Sequence, residues 1–101
     1  MNQSFKDNIY DLVDRIPEGK VLTYGMLASL SGHPGASRVV GQIAHFGPSK
    51  LPWHRVVKTS GLMASGFVPG GPHRQELLLA EEGIEIRNHK IHNLDKYLWK
   101  I

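Results

Sequence analysis

The sequence has 101 residues with 41% hydrophobic content, 11 glycines and 6 prolines, which suits one loop-rich domain with a modest core. It contains no cysteine, and this excludes disulfides, thiolate metal sites and thiol nucleophiles. Lys and Arg outnumber Asp and Glu by 12 to 9, a basic excess that permits a nucleic-acid partner without requiring one.

Helical periodicity begins near the N-terminus. Residues 4–16 carry one apolar stripe, and the turn-forming segment 17–19 ends that helix. The VLTY segment is predicted to be extended, and the hydroxyl of Thr23 is predicted to cap a second helix from about Tyr24 to Leu30. The stripe of the first helix consists of Phe5, Ile9, Leu12, Val13 and Ile16.

A third helix is predicted over residues 37–46, after a loop at 31–35. Ser37 would cap it, and Gly41 inside it is expected to permit close packing. Two short capped helices joined by a glycine-containing loop fit both a DNA-binding helix-turn-helix and a plain helical hairpin, so both interpretations stay open. The available core face of the third helix comprises Val39, Val40, Ile43 and Phe46.

The second half of the chain mixes short strands, loops and one helix. The β-branched run before Ser60-Gly61 predicts a small hairpin or wing, and residues 64–74 predict a loop. Residues 74–83 predict a helix with Leu77 to Leu79 buried and Gly83 as a left-handed cap. Apolar and polar residues alternate over residues 84–91, which predicts a short strand. The last segment, residues 93–101, is expected either to pack on the core or to be mobile.

The usual catalytic and metal-binding patterns are missing. His89 and His92 would fall on opposite faces of a strand, and no ligand set completes a metal site. A serine hydrolase would need a nucleophile-elbow motif, which is absent. Since neither an apolar run of about 18 residues nor a signal-peptide pattern occurs, we expect a soluble intracellular protein, cytoplasmic or nucleoid-associated if bacterial.

Two local features indicate binding rather than reaction. The segment LPWHRVV, residues 51–57, places Trp53 beside His54, where a hydrolytic site would have a nucleophile. A core anchor is the other explanation for this tryptophan. Arg38 stands at the start of a helix, where the helix dipole disfavours a cation, so an external partner explains it better than the helix does.

Six motifs follow one another along the chain: IPEGKVLTYG, ASRVVGQ, GP, LPWHRVV, a glycine before FVPGG, and ELLLAEEG. From about Phe5 to Gly83, their order and spacing resemble the DNA-binding domain of O6-alkylguanine-DNA alkyltransferases. Those proteins carry a reactive cysteine in a Pro-Cys-His-Arg motif, and Trp53 stands in its place here. The chain therefore resembles the alkyltransferase-like proteins, which keep this domain without the cysteine.

The resemblance implies a mainly α-helical winged-helix or helix-turn-helix domain with a small hairpin or wing. We expect one domain over residues 1–101, with a core at about 5–83 and a C-terminal tail at 84–101. Arg38 would be the finger that fills the gap left by a flipped nucleotide, and Tyr24 would crowd the 3′ phosphate to promote its rotation. The helix from Ser37 would lie in the minor groove, where Gly41 suits close approach.

The resemblance also implies a pocket for the flipped base. Trp53 would offer a broad apolar surface to the alkyl group, and Glu82 would orient His54 through a hydrogen bond. Two residues depart from the alkyltransferase pattern: Gly47 replaces an asparagine that braces the loop, and Phe67 replaces a tyrosine that helps to protonate guanine. The implied pocket comprises Trp53, His54, Arg55, Val56, Ser65, Phe67 and Glu82.

The function so implied is a non-enzymatic damage sensor that needs no cofactor and no metal. It would bind O6-alkylguanine in duplex DNA as a monomer, flip the nucleotide, bend the duplex and leave the alkyl group in place. The complex would then flag the lesion for the damage-recognition proteins of nucleotide excision repair. A sequence-specific winged-helix transcription regulator is the main alternative, and a DNA glycosylase is another.

Overall fold

A computed structural model describes residues 4–100 of the chain. Short strands and helices alternate along these residues, with most of the regular structure in helices. The helices are α1 (Phe5–Arg15), α2 (Tyr24–Leu30), α3 (Ser37–His45), α4 (Gly71–Glu81) and α5 (Leu94–Tyr97), with a 3₁₀ turn at Trp53–Arg55. The strands are β1 (Leu22–Thr23), β2 (Val56–Val57), β3 (Ile86–Arg87) and β4 (Lys90–Ile91).

The first two helices form as the sequence predicts. The Ser4 side chain accepts a hydrogen bond from the Asp7 amide at 3.1 Å, and this caps α1. The hydroxyl of Thr23 accepts from the Met26 amide, also at 3.1 Å, and caps α2. Each bond satisfies an amide of the first turn that has no partner inside the helix. The stripe on α1 is confirmed, with Ile9 and Val13 fully buried.

Helix α3 differs from its prediction in three respects. Its N-cap is Ala36, and Ser37 is its first residue and does not cap it. Of the expected core face only Val40 is buried, whereas Val39 and Phe46 are 45% and 82% exposed. A Cβ at Gly41 would have no neighbour within 4 Å, so no close packing within the protein requires this glycine. One side of α3 packs against α2, and the other faces open space.

The small hairpin is present but lies later in the chain than the Ser60-Gly61 signal suggests. Strands β3 and β4 pair antiparallel, with Ile86 opposite Ile91. Strand β2 instead pairs in parallel with β1, with Leu22 opposite Val56. A parallel pair needs a long connection, and α2, α3 and the 3₁₀ turn supply it here.

The predicted burial on α4 is wrong for part of its leucine run. Leu77 is 54% exposed, because the buried face of this helix consists of Gln75 and Leu79, one turn apart. The predicted left-handed cap is confirmed, since Gly83 follows the helix at a φ of 87°.

The segment after Gly83 is not a loose tail in the part that the structure describes. Ile84, Ile91 and Tyr97 are buried in one apolar cluster. The Val21 amide donates to the carbonyl of Tyr97 at 2.9 Å, and the Trp99 amide donates to the carbonyl of Val21 at 3.0 Å. The ending therefore packs on the core, which was one of its two predicted states. No helix within residues 4–100 is long and apolar enough to cross a membrane.

Candidate nucleic-acid interface

An open cleft of about 1410 Å³ lies between α3, the 3₁₀ turn and the loop that precedes α4. Ordinary small-ligand sites have volumes of roughly 300–1,000 Å³, so this cleft can admit a base together with part of its backbone. Eight of the eleven predicted site residues line it: Tyr24, Ser37, Arg38, Gly41, Trp53, His54, Ser65 and Phe67.

The charged side chains that line the cleft are basic. Four cationic side chains line it, those of Arg38, Lys50, Lys58 and Arg74, and no Asp or Glu within residues 4–100 does. A concave surface with only positive charge raises the local concentration of anionic partners and favours contact with phosphates. Of these four cations, only Arg38 is among the site residues that the sequence predicts.

The first turn of α3 adds to this character. It contains no acidic residue, and Ala36 at its N-cap makes no side-chain hydrogen bond to the helix amides. The free amides and the helix dipole therefore favour an anion at this end. Arg38 is exposed there and forms no ion pair with any residue that the structure describes.

Tyr24 lines the cleft as the first residue of α2. Burial raises the pKa of its phenol above the ordinary value of 10.0, because the charged form would lose hydration. The hydroxyl therefore stays protonated at neutral pH and can donate a hydrogen bond to an anionic oxygen.

Trp53 is a core residue that shows only a small part of its surface to the cleft. It is 9% exposed and belongs to the apolar cluster that includes Ile9, Val13 and Val40. Its indole N–H donates to the carbonyl of Pro48 at 2.9 Å. The expected broad apolar surface for an alkyl group is therefore not available, since most of the ring packs inward.

Gly47 lies directly against this indole. A Cβ at position 47 would stand 2.6 Å from Cζ2 and 3.0 Å from Cε2 of Trp53. It would also stand 3.0 Å from the carbonyl oxygen of Ile43. Because these separations are shorter than van der Waals contact, no side chain fits at position 47 while the indole keeps its place. The glycine at position 47 and the tryptophan at position 53 are thus physically linked.

Behind the cleft, one carboxylate collects most of the polar contacts. Nε2 of His54 and Oε2 of Glu82 are 2.6 Å apart, and the Gly19 amide donates to Oε1 of Glu82 at 2.9 Å. Arg55 donates to the same carboxylate through Nε at 3.0 Å and Nη2 at 2.9 Å, and to the Ile16 carbonyl through Nη1 at 2.8 Å. Arg55 and Glu82 therefore do not line the cleft; they hold His54 at its edge.

These contacts set the ionisation of Glu82. Partial burial acts to raise its pKa, but hydrogen bonds from Arg55, Gly19 and His54 outweigh burial and lower the pKa from 4.5 to about 2. The side chain is 11% exposed and is ionised at neutral pH. Since a carboxylate only accepts hydrogen bonds, the proton of the close contact lies on Nε2 of His54, and Nδ1 is left for another partner.

Gln75 is not among the predicted site residues, and its side chain is fully buried beneath the cleft. Its Oε1 accepts from the Ala64 amide at 2.7 Å, and its Nε2 donates to the carbonyls of Val56 at 2.8 Å and His54 at 3.1 Å. The side-chain amide of Gln75 thus connects the segment that carries His54 to the segment that carries Ser65. The signal in the sequence that could have identified Gln75 is its position one turn before Leu79, on the buried face of α4.

Val56 does not line the cleft either. Its side chain is fully buried in the core, and its carbonyl already accepts from Gln75. The Val56 side chain therefore forms no part of the cleft wall, and the predicted contact of this residue with a base stays a prediction. Residues 4–100 contain no group of three or more His, Cys, Asp or Glu side chains placed to hold a metal ion.

Comparison with known proteins agrees with this geometry. Residues 4–84 match the family described as 6-O-methylguanine DNA methyltransferase, DNA binding domain. The chain is 40% identical to alkyltransferase-like protein 1 of Schizosaccharomyces pombe, over 95% of this chain and 94% of that protein. It is 39% identical to the DNA base-flipping protein of Escherichia coli K12, over 95% of this chain and 74% of that protein.

A solved structure extends the match to three dimensions. The fold superimposes on S. pombe Atl1 in complex with damaged DNA containing O6-carboxymethylguanine, with a TM-score of 0.86, 37% identity and full coverage of both chains. The fold and the cleft define an alkyltransferase-type DNA-binding domain, which confirms the expected fold class. The chain belongs to the 6-O-methylguanine DNA methyltransferase DNA-binding domain family, and its relatives include alkyltransferase-like and base-flipping proteins.

Proposed function

We propose that this protein binds O6-alkylguanine in duplex DNA, rotates the nucleotide into the cleft and leaves the alkyl group on the base. One observation carries the proposal. The cleft is open and cationic, but Trp53, which stands where the resemblance puts the family's reactive cysteine, is a buried indole. The site thus has features that favour DNA binding and lacks the thiol that alkyl transfer needs.

The chemistry of the cleft residues supports binding without transfer. Dealkylation needs a thiolate to attack the alkyl carbon, and a neutral indole whose N–H already donates to Pro48 cannot do so. Phe67 has no hydroxyl with which to protonate the leaving guanine. His54 and Glu82 form a hydrogen-bonded pair, but no thiol stands beside them for that pair to activate.

The cleft supports base flipping through the two residues at its helix N-termini. Extruding a base costs a few kcal/mol, and less for a base that pairs poorly, as an O6-alkylguanine does. Arg38 has no partner among the described residues and can insert where the base has left. The protonated phenol of Tyr24 can donate to the adjacent phosphate. Gly41 leaves the middle of α3 open for close approach of the duplex.

We propose that the whole chain acts as one monomeric domain in this role, including residues 84–100, which pack on the core. A bound lesion that is not repaired is useful only if another system removes it. The damage-recognition proteins of nucleotide excision repair are the partners we propose, and a duplex opened from its minor groove would present them with a bend.

The decisive experiment compares two short duplexes that differ in a single O6-methylguanine, at one fixed salt concentration. We expect much tighter binding to the modified duplex, and mass spectrometry of the recovered oligonucleotide should show the methyl group still present. Equal affinity for both duplexes would instead support a sequence-specific regulator. Loss of the methyl group, or release of a free base, would show an enzyme.

A further inference from the structure

The indole of Trp53 is fixed on three sides. Its N–H donates to the Pro48 carbonyl at 2.9 Å, and one edge lies against Gly47. The Tyr10 ring meets it edge-on at a centroid distance of 6.0 Å and an angle of 76°. The aliphatic side chains of the same cluster are fully buried, so the core has no room to accept a displaced ring. The side that remains open is the cleft.

A side chain at position 47 would therefore act on the cleft through the indole. The Cβ would stand 2.6 Å from Cζ2, about 1 Å inside normal contact, and the backbone oxygen of Ile43 blocks the opposite adjustment. A ring forced off this position moves toward the space where the base would bind. The volume available beside Trp53 thus depends on the absence of a side chain at Gly47.

We propose that Gly47 is a positioning residue that holds the Trp53 indole out of the cleft and so sets the largest O6-alkyl group that the pocket accepts. The inference rests on the proposed function, because it concerns the same pocket. Trp53 and Gly47 have separate roles. The indole forms the end of the pocket where the family has its cysteine, and Gly47 leaves the indole room to stay out of the pocket. Small adducts need little of this space, whereas large adducts need all of it.

The test is Gly47→Ala in a Trp99→Phe background, where Trp53 is the one remaining tryptophan of the two in the chain. The indole N–H resonance in an NMR spectrum reports its hydrogen bond without any DNA. We expect this resonance to shift in the variant. Affinity is then measured for duplexes with O6-methylguanine and with O6-benzylguanine. We expect the benzyl duplex to lose about tenfold more affinity than the methyl duplex, the effect of a modest steric clash.

Two further variants make the result specific. Gly25→Ala is the matched control, because its Cβ would meet nothing closer than the Thr23 hydroxyl at 4.0 Å, and it should change neither the resonance of Trp53 nor the size preference. Trp53→Phe combined with Gly47→Ala removes the clashing atoms and should restore the ratio of the two affinities to that of Trp53→Phe alone. If Gly47→Ala alone does not fold, we expect the double variant to fold, because the indole atoms that clash with the new Cβ are gone. A double variant that also fails to fold would overturn the proposed steric link between position 47 and the indole.

The outcomes separate the two proposals. A parent protein that prefers the lesion, with an unchanged size ratio in Gly47→Ala, overturns the role of Gly47 and leaves the lesion-binding function standing. An unshifted indole resonance also overturns that role. A parent protein that binds modified and unmodified duplexes equally refutes the lesion-binding function itself.

Discussion

Glu82 gives the sharpest quantitative prediction, because its contacts change the charge balance of folding. Its pKa falls from an ordinary 4.5 to about 2 in the folded protein. Each pKa unit corresponds to about 1.36 kcal/mol, so the ionised carboxylate stabilises the fold by about 3 kcal/mol. For a domain of this size, whose total stability is about 5–15 kcal/mol, that is a large share.

The sign follows from the direction of the shift. A depressed folded pKa means that the unfolded chain binds the proton first as the pH falls. The full contribution of Glu82 is present above pH 4.5, declines between pH 4.5 and about 2, and is absent below that range. Glu82→Gln mimics the protonated state at every pH. It should be less stable than the parent by about 3 kcal/mol at pH 7, and the two should converge near pH 2.

The assay is urea unfolding of both proteins at pH 7, 4, 3 and 2. The difference between the two curves isolates Glu82, since the other carboxylates titrate in both proteins. Asp11→Asn is the control: Asp11 pairs with Arg15 at 3.1 Å on an exposed surface, so its loss should change stability by less than about 1 kcal/mol. A constant difference between parent and Glu82→Gln from pH 7 to pH 2 would refute the argument.

Further variants test the cleft. Gln75→Leu leaves the Ala64 amide and two carbonyls without their buried partner and should cost about 3 kcal/mol in urea unfolding; a cost below 1 kcal/mol would mean that this tie is dispensable. Arg38→Ala should weaken binding to the O6-methylguanine duplex by about 2 kcal/mol in a fluorescence titration, whereas removing the charge at Arg15, outside the cleft, should not. Lys58→Ala should lower the slope of log affinity against log salt by about 1, and an unchanged slope would exclude a phosphate contact there. Trp53→Cys should not gain a methyl group from modified DNA by intact-protein mass spectrometry, because Phe67 supplies no proton; efficient transfer would show that the thiol alone was missing.

Local signals in the sequence predicted several helical features correctly, although the predicted cap at Ser37 was wrong. The stripe on α1, the cap at Thr23 and the left-handed Gly83 all depend on neighbours within four residues, and all are present. The core face predicted for α3 from its periodicity was partly wrong, because an apolar residue at helical spacing can face either the core or a binding partner. Phe46 occupies such a position and is 82% exposed.

The parts of the site that the sequence did not predict depend on long-range contacts. The pairing of β1 with β2 joins residues more than thirty positions apart, and two-residue strands carry no usable period. The distance between Gly47 and the indole of Trp53 likewise appears only when the chain is folded. The resemblance placed Arg55 in the pocket, but its guanidinium turns to Glu82 because the carboxylate offers it a bidentate partner in a poorly hydrated place.

The His54–Glu82 pair does not by itself indicate chemistry. Such a pair can activate a thiol, but the chain contains no cysteine, so the contacts of the pair need another explanation. The contacts of Glu82 supply one, because the carboxylate also accepts from the Gly19 amide and from Arg55, which in turn holds the end of α1 through the Ile16 carbonyl. Loss of Glu82 would leave the guanidinium of Arg55 poorly hydrated and unpaired, a change that typically costs several kcal/mol. These contacts give the pair a role in the stability of the fold that does not depend on group transfer.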